Sequence, residues 1–414
     1  YAKEQNITIR KNRITAVSTQ IDVKTAKAAL FPSLSFSTGH QVVNRPYQET
    51  SSRVSGSEII SSNSKTSYNG NYGLNASWTL YNGNKRLKTI QQEKLNNQMA
   101  ELDVATSENN IQESIAQVYI QILYAAESVK VNENTLQVSI AQRDRGQELL
   151  NAGSIAKSDL AQLEAQVSTD RYQLVTAQAT LEDYKLQLKQ LLELDGENEM
   201  NIYLPALSDE NVLAPLPTKR DVYISALSLR PEIEASKLNV EASELGINIA
   251  KSSYFPTISL SAGIGTNHTS GSDFTFGEQV KNGWNNSIGL SVSVPIFNNR
   301  QTKSAVQKAK LQYETSMLSL LDEQKALYKT IESLWLDANS AQQRYAAANE
   351  KLKSTQISYE LISEQFNLGM KNTVELLTEK NNLLQAQQEQ LQAKYMAILN
   401  TQLLKFYQGD QLAL

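Results

Sequence analysis

The sequence predicts a mainly α-helical fold in which each of two internal repeats inserts a pair of membrane-type β-strands into a very long coiled-coil pattern. Three observations carry this: landmarks repeated at a fixed spacing, four short segments of apolar–polar alternation, and two proline-free stretches with helical periodicity. Together they predict four strands per chain, entering a transmembrane β-barrel shared between chains and continuous with an α-helical tunnel.

The repeat is legible in three places. Phe31-Pro32 recurs as Phe255-Pro256, an offset of 224 residues. Gly73-Leu74 recurs as Gly289-Leu290, and Leu150-Asn151-Ala152-Gly153 as Phe366-Asn367-Leu368-Gly369, both offset by 216. The eight-residue difference falls in the Ser/Asn/Gly-rich loop of each copy, where length varies at little energetic cost. The resulting division is repeat 1 over 1–194, a linker over 195–220 and repeat 2 over 221–414. Repeat 1 holds a helix, a strand pair over 32–82 and a helical hairpin over 84–194 with its tip at 150–154. Repeat 2 holds a helix, a strand pair over 256–298 and a hairpin over 301–408 with its tip at 366–370.

Composition narrows the class. The 414 residues carry a net charge of -4, no cysteine and two histidines. Nothing is basic enough to seek nucleic acid, and the absence of thiols removes disulfides and thiolate metal sites. No run of 18 apolar residues occurs, so a helical membrane span is not expected, and no secretory signal opens the sequence at Tyr1, as in a mature or trimmed form. A β-barrel hides its membrane signal in alternation.

That alternation appears four times. Leu34 and Phe36 alternate with Ser33, Ser35 and Ser37, and Tyr72, Leu74, Ala76, Trp78 and Leu80 alternate with Asn71, Gly73, Asn75, Ser77 and Thr79. In the second copy Ile258, Leu260, Ala262 and Ile264, then Ile288, Leu290, Val292, Val294 and Ile296, alternate with Ser, Thr and Gly. A strand with lipid on one face and water on the other reads this way, and about ten residues cross a bilayer when tilted. Phe31, Phe255, Tyr81 and Phe297 mark the same end of all four, as an interfacial aromatic belt requires. Four strands cannot close a barrel, and an open edge in lipid leaves backbone groups unpaired. Two chains would supply eight strands and three would supply twelve; a conducting pore favours the trimer.

Residues 84–150 contain no proline and one glycine, Gly146, and 301–366 continue likewise without either. An apolar 4-3 spacing runs from Tyr313 through Leu327, Ile331, Ala338, Ala341, Tyr345 and Ala348 to Phe366, the signature of a coiled coil. At about 1.5 Å per residue each stretch is a helix near 100 Å long. Gly153 and Gly369 stand where a helix takes a left-handed C-terminal residue, so each stretch turns back into a hairpin. The linker, with Pro205, Pro215 and Pro217, breaks the heptads and is expected to pack outside the helices as a belt. His40 and His268 fall near loops with no clustered acid pair, so neither catalysis, a metal site nor a cofactor is expected.

With these motifs in order, the chain resembles the TolC-type outer-membrane efflux proteins over nearly its whole length. The resemblance rests on the twofold repeat, the Phe-Pro strand entries, the Arg230-Pro231-Glu232-Ile233 helix start, and the Gly-centred tips followed by Asp159 and Glu375. It implies a homotrimer in the outer membrane of a Gram-negative cell, with a helical tunnel in the periplasm. It also implies an inner-membrane pump, of the resistance-nodulation-division or ABC type, reached through a periplasmic adaptor. The resemblance places adaptor contacts at Asn151, Ala152, Gly153 and Ser154 and at Asn367, Leu368, Gly369 and Met370. It places a periplasmic gate at Asp159, Phe366 and Lys371. Phe366 lacks a hydroxyl and Lys371 the planar fork of arginine, so such a gate holds by packing and a looser Lys–carboxylate pair. Glu375 matches one of two carboxylates lining the family's constriction; Thr378 stands at the second, with Glu379 one turn from Glu375 as its substitute. Asp159 and Glu375 equally suit the positive ends of their helices. The rival reading is a periplasmic adaptor, which also joins a helical hairpin to β-structure but carries one hairpin and compact soluble barrels.

Overall fold

A computed structural model describes residues 1–47, 51–55, 58–62, 65–195, 202–203 and 212–412. In chain order they form α1 (Ala2–Gln5), α2 (Ile7–Ala28), β1 (Ser33–Asn44), β2 (Ser51–Ser55), β3 (Glu58–Ser62), β4 (Thr66–Asn82), α3 (Lys85–Asn151) and α4 (Lys157–Leu191). There follow α5 (Lys219–Leu229), α6 (Pro231–Lys251), β5 (Thr257–Thr269), α7 (Phe276–Asn282), β6 (Asn285–Ser293), α8 (Gln301–Asn367) and α9 (Thr373–Gln408). Two compact units emerge. One comprises Tyr1–Thr15, Ala100–Ser236 and Ser319–Leu414; the other comprises Ala16–Met99 and Lys237–Leu318 and holds the strands. Each unit draws on both sequence repeats.

In the strand-bearing unit, β1, β4, β5 and β6 form one antiparallel sheet in that order, and β2 pairs with β3 separately. Residues directly opposite one another share a face. Leu34 faces Ala76, Phe36 faces Leu74, Leu74 faces Ile264, Trp78 faces Leu260, and Leu260 faces Leu290. The alternating apolar residues of all four strands therefore lie on one face, largely exposed within the chain: Phe36 at 67% and Ile288 at 83%. The other face pairs Ser35 with Asn75, Ser37 with Gly73 and Ser261 with Gly289. A one-residue slip anywhere would have mixed the faces. A bulge between Thr79 and Tyr81 lets Tyr81 oppose Ile258. The last strand is shorter than expected: β6 ends at Ser293, and Val294 and Ile296 lie beyond it, exposed. Pro295 explains the stop, since it has no N–H to offer a ladder. His40 sits within β1, and His268 is the penultimate residue of β5, beside the turn that follows it.

The entries to the strands are tied down. Trp78 Nε1 donates to Leu30 O at 2.7 Å, and Arg86 donates to the carbonyls of Ala29 and Thr79. Gly83 is required twice: its φ is +68°, and a Cβ there would lie 2.6 Å from Ser252 O.

In the helical unit the 4-3 stripe of α8 is buried at Leu327, Ile331, Ala338, Ala341, Tyr345, Ala348 and Phe366. One core gathers Ile120, Leu123, Ala341, Tyr345, Leu391, Tyr395 and Ile398; a second gathers Val222, Ala226, Ile233, Leu327, Ile331 and Leu404. In α9, Leu376 and Leu383 are buried, whereas Leu377 and Leu384 are only half-buried. Arg230 explains the helix-start motif. Its buried guanidinium pairs with Glu113 and lies 3.7 Å from the Tyr407 ring centre, while Pro231 opens α6, where its missing N–H costs nothing.

Much of the expected linker, 196–201 and 204–211, lies outside the described residues. Its described end is held by helix side chains. Gln342 Nε2 donates to Val212 O and Ala214 O at 3.0 and 2.8 Å, and Trp335 Nε1 donates to Pro217 O at 3.0 Å. Val212 itself is fully buried in the first core.

Candidate functional site

The helical unit contains both hairpin tips, and the two are built on one backbone plan. At the end of α3, Ser154 N donates to Leu149 O at 2.8 Å and Gly153 N to Leu150 O at 2.9 Å. At the end of α8, Met370 N donates to Gln365 O and Gly369 N to Phe366 O, each at 2.9 Å. These paired bonds are the Schellman motif, and they require a left-handed residue at the glycine. Gly153 and Gly369 both have φ of +73°. A Cβ at either would meet nothing within 4 Å, so backbone conformation, not crowding inside the chain, demands glycine.

All eight residues expected at the tips, Asn151, Ala152, Gly153, Ser154, Asn367, Leu368, Gly369 and Met370, are exposed. Their chemistry differs: the first tip is small and polar, with Asn151 Oδ1 accepting from Gln147 Nε2 at 3.0 Å. The second presents two large apolar side chains, Leu368 at 70% and Met370 at 71% exposure. Phe366, just before it, is buried.

The carboxylates after each tip act as helix caps. Asp159 accepts from Ala156 N at 3.0 Å at the start of α4. At the start of α9 the box is complete: Asn372 Oδ1 accepts from Glu375 N at 2.9 Å and Glu375 accepts from Asn372 N at 3.2 Å. Lys371 Nζ stands 2.6 Å from Glu375 Oε1, one turn away in the same hairpin. That ammonium, with the Asn372 N–H, holds the Glu375 carboxyl below the usual carboxylate range. Of the three residues expected at a gate, then, Lys371 pairs with Glu375, Asp159 bonds to its own helix start, and Phe366 is buried. Glu379 accepts from Ser358 Oγ at 3.1 Å.

One cluster was not anticipated. Lys380 of α9 donates to both Asp170 of α4 and Ser139 of α3, Ser139 donates to Asp170, and all three are almost fully buried. Gln166 Nε2 adds a bond to Asp170 Oδ1 at 2.9 Å. Desolvation drives the Lys380 pKa down while Asp170 opposes it. A signal existed: Asp170 continues the spacing of Leu163 and Val167, and Lys380 lies between Leu376 and Leu383, so each charge occupies a core register. Among the described residues no group of three or more His, Cys, Asp or Glu side chains gathers as a metal site.

The family model for outer membrane efflux proteins matches residues 1–193 and 222–409. The outer membrane efflux protein BepC of Brucella suis is 24% identical over 294 residues, 70% of this chain and 61% of that protein. The outer membrane protein TolC of Escherichia coli is also 24% identical over 294 residues, 69% of this chain and 58% of that protein. The aligned region thus spans about three-fifths of either relative. The crystal structure of CusC, described for its transmembrane channel formation, superposes with a TM-score of 0.82 at 19% identity, covering 99% of this chain and 90% of that one. That of VceC from Vibrio cholerae gives 0.79 at 16% identity, over 100% and 95%. The fold is theirs: long coiled-coil hairpins joined to a four-stranded share of a barrel.

Proposed function

From the premise that the chain belongs to the outer membrane efflux protein family, we propose that it forms the passive exit duct of a tripartite efflux or type I secretion system. The observation that carries this reading is the sheet. One face is apolar and exposed, the other is lined by Ser, Gly and Asn, and among the described residues β1 and β6 each present an edge with no strand partner in the sheet. Such edges in lipid call for pairing; three copies joining β6 to β1 give a twelve-stranded barrel wide enough to conduct.

The tips supply the second half of the reading. Open space over Gly153 and Gly369, beside exposed Leu368 and Met370, suits the close approach of another helical hairpin, that of a periplasmic adaptor leading to an inner-membrane pump. The gate is read as packing around Phe366 with the Lys371–Glu375 pair, and Glu375 and Glu379 as carboxylates that attract cations to a constriction.

The test is direct. Detergent-solubilised protein should contain three chains per particle, give threefold averages in electron microscopy and conduct ions in planar bilayers. Multivalent cations should block the current less in Glu375→Ala. Monomeric particles without conductance would overturn the duct, and unchanged block would remove Glu375 from the constriction.

A further inference from the structure

The chain has only two histidines, 228 residues apart, and the fold places them side by side. His40 of β1 lies opposite Gly70 of β4, and Gly70 lies opposite His268 of β5. The three form a row across the sheet, on the face that carries Leu34, Phe36, Leu74 and Ile264. The two imidazole centres are 6.3 Å apart.

Gly70 makes this possible. A Cβ there would stand 2.1 Å from Cε1 and 2.6 Å from Nδ1 of His268, so the nitrogen-bearing edge of that ring lies over the glycine, toward β1. His268 Nδ1 is buried and has no hydrogen-bond partner. An orphaned polar atom of this kind calls for an explanation. Tyr72 stacks on the His268 ring, and Phe276 of α7 meets it edge-on. His40 is oriented from the other side: its Nδ1 is 2.8 Å from the Tyr68 hydroxyl, while its Nε2 has only a 3.2 Å contact with the Thr38 hydroxyl.

We propose that His40 and His268 form a binding site for a divalent first-row transition cation, with His40 Nε2 and His268 Nδ1 as ligands and water completing the shell. Imidazole pairs suit Cu²⁺, Ni²⁺ and Zn²⁺, with Cu²⁺ held tightest. The Tyr68 hydroxyl on the far nitrogen of His40 is the outer-shell bond that fixes the tautomer and direction of a ligating histidine. An ion about 2.0–2.1 Å from each nitrogen keeps the ring centres within about 6.4 Å, and the observed 6.3 Å falls inside that limit. The bound ion ties β1 to β5 across β4, clamping three strands of the sheet.

The experiment is Cu²⁺ titration of the tag-free, detergent-solubilised full chain, read by electron paramagnetic resonance and thermal melting. The expected result is one Cu²⁺ per chain with hyperfine structure from two imidazole nitrogens, and a melting temperature that rises with free metal. His40→Gln and His268→Asn should each weaken binding about tenfold or more. Gly70→Ala, which removes no ligand but displaces the His268 ring, should also weaken it. His40 is exposed, so its variant keeps the test independent of folding. Absence of saturable binding, or equal affinity in the native protein and the two histidine variants, overturns the site.

Discussion

The two hairpins share a backbone and differ in what that backbone carries. Every bond of the Schellman motif recurs at an offset of 216, and so do the two left-handed glycines. Yet Ala156 stands where Asn372 caps α9, Leu150 where Phe366 is buried, and Ala152 and Ser154 where Leu368 and Met370 project. The seams differ further. Asp170 and Lys380 meet in one buried ion pair, whereas at the repeat-related positions Ala386 is buried and Glu164 is exposed. Backbone turns depend on conformation alone and repeat faithfully, while side chains diverge as each copy acquires different neighbours.

The largest expected effect follows from that unequal seam. Lys380→Ala leaves Asp170 buried without its cation and should destabilise the helical unit by about 3–5 kcal/mol. Replacing both by apolar residues, Lys380→Met with Asp170→Leu, should restore most of the loss. Chemical denaturation of the four corners of this double-mutant cycle measures it; additive losses would mean the pair is not coupled.

Smaller effects separate the tips. Gly153→Ala and Gly369→Ala should each cost roughly 1–2 kcal/mol for a forced left-handed residue, and equally, since neither Cβ meets a neighbour. A larger loss of export for the second at equal stability would locate a partner contact there. The caps should behave oppositely. Asn372→Ala removes a cap and should lower stability by roughly 0.5–2 kcal/mol, while Ala156→Asn adds one to the first hairpin and should raise it by a similar amount.

The smallest effect is one of pH. The folded-state pKa of Glu375 is lowered chiefly by Lys371, so its contribution is complete above the ordinary carboxylate range and is lost as pH falls through the folded-state value. Protection of the Asn372 and Glu375 amides from hydrogen exchange, relative to the unstructured rate at the same pH, should therefore fall in acid, and Lys371→Met should move that onset to higher pH. An onset unaffected by Lys371→Met would mean the ion pair contributes nothing to the cap.

Much of the fold was legible in the chain. The strand faces followed from alternation, because a period of two assigns every side chain to a side before any partner is known. The family match over both repeats leaves no place for the single-hairpin adaptor reading. Less of the site could be read. Asp170 and Lys380, at core registers, look like interruptions of an apolar stripe until α3, α4 and α9 bring together residues separated by up to 241 positions. Glu375 had two readings, cap and constriction; the complete capping box with Asn372 fixes its local bonds.

The sequence alone determined that four alternating segments and two long heptad stretches occur and that the chain turns at Gly153 and Gly369, because alternation, heptad spacing and left-handed glycine act within a few residues of chain. It also determined that the strands cannot close by themselves. Only the tertiary structure decided that the two histidines share one row over Gly70, that Lys371 turns to Glu375, and that a buried lysine finds its aspartate. The histidine row and the buried ion pair are contacts between distant segments, set by register and packing, and no local rule encodes them, whereas Lys371 and Glu375 stand only four residues apart.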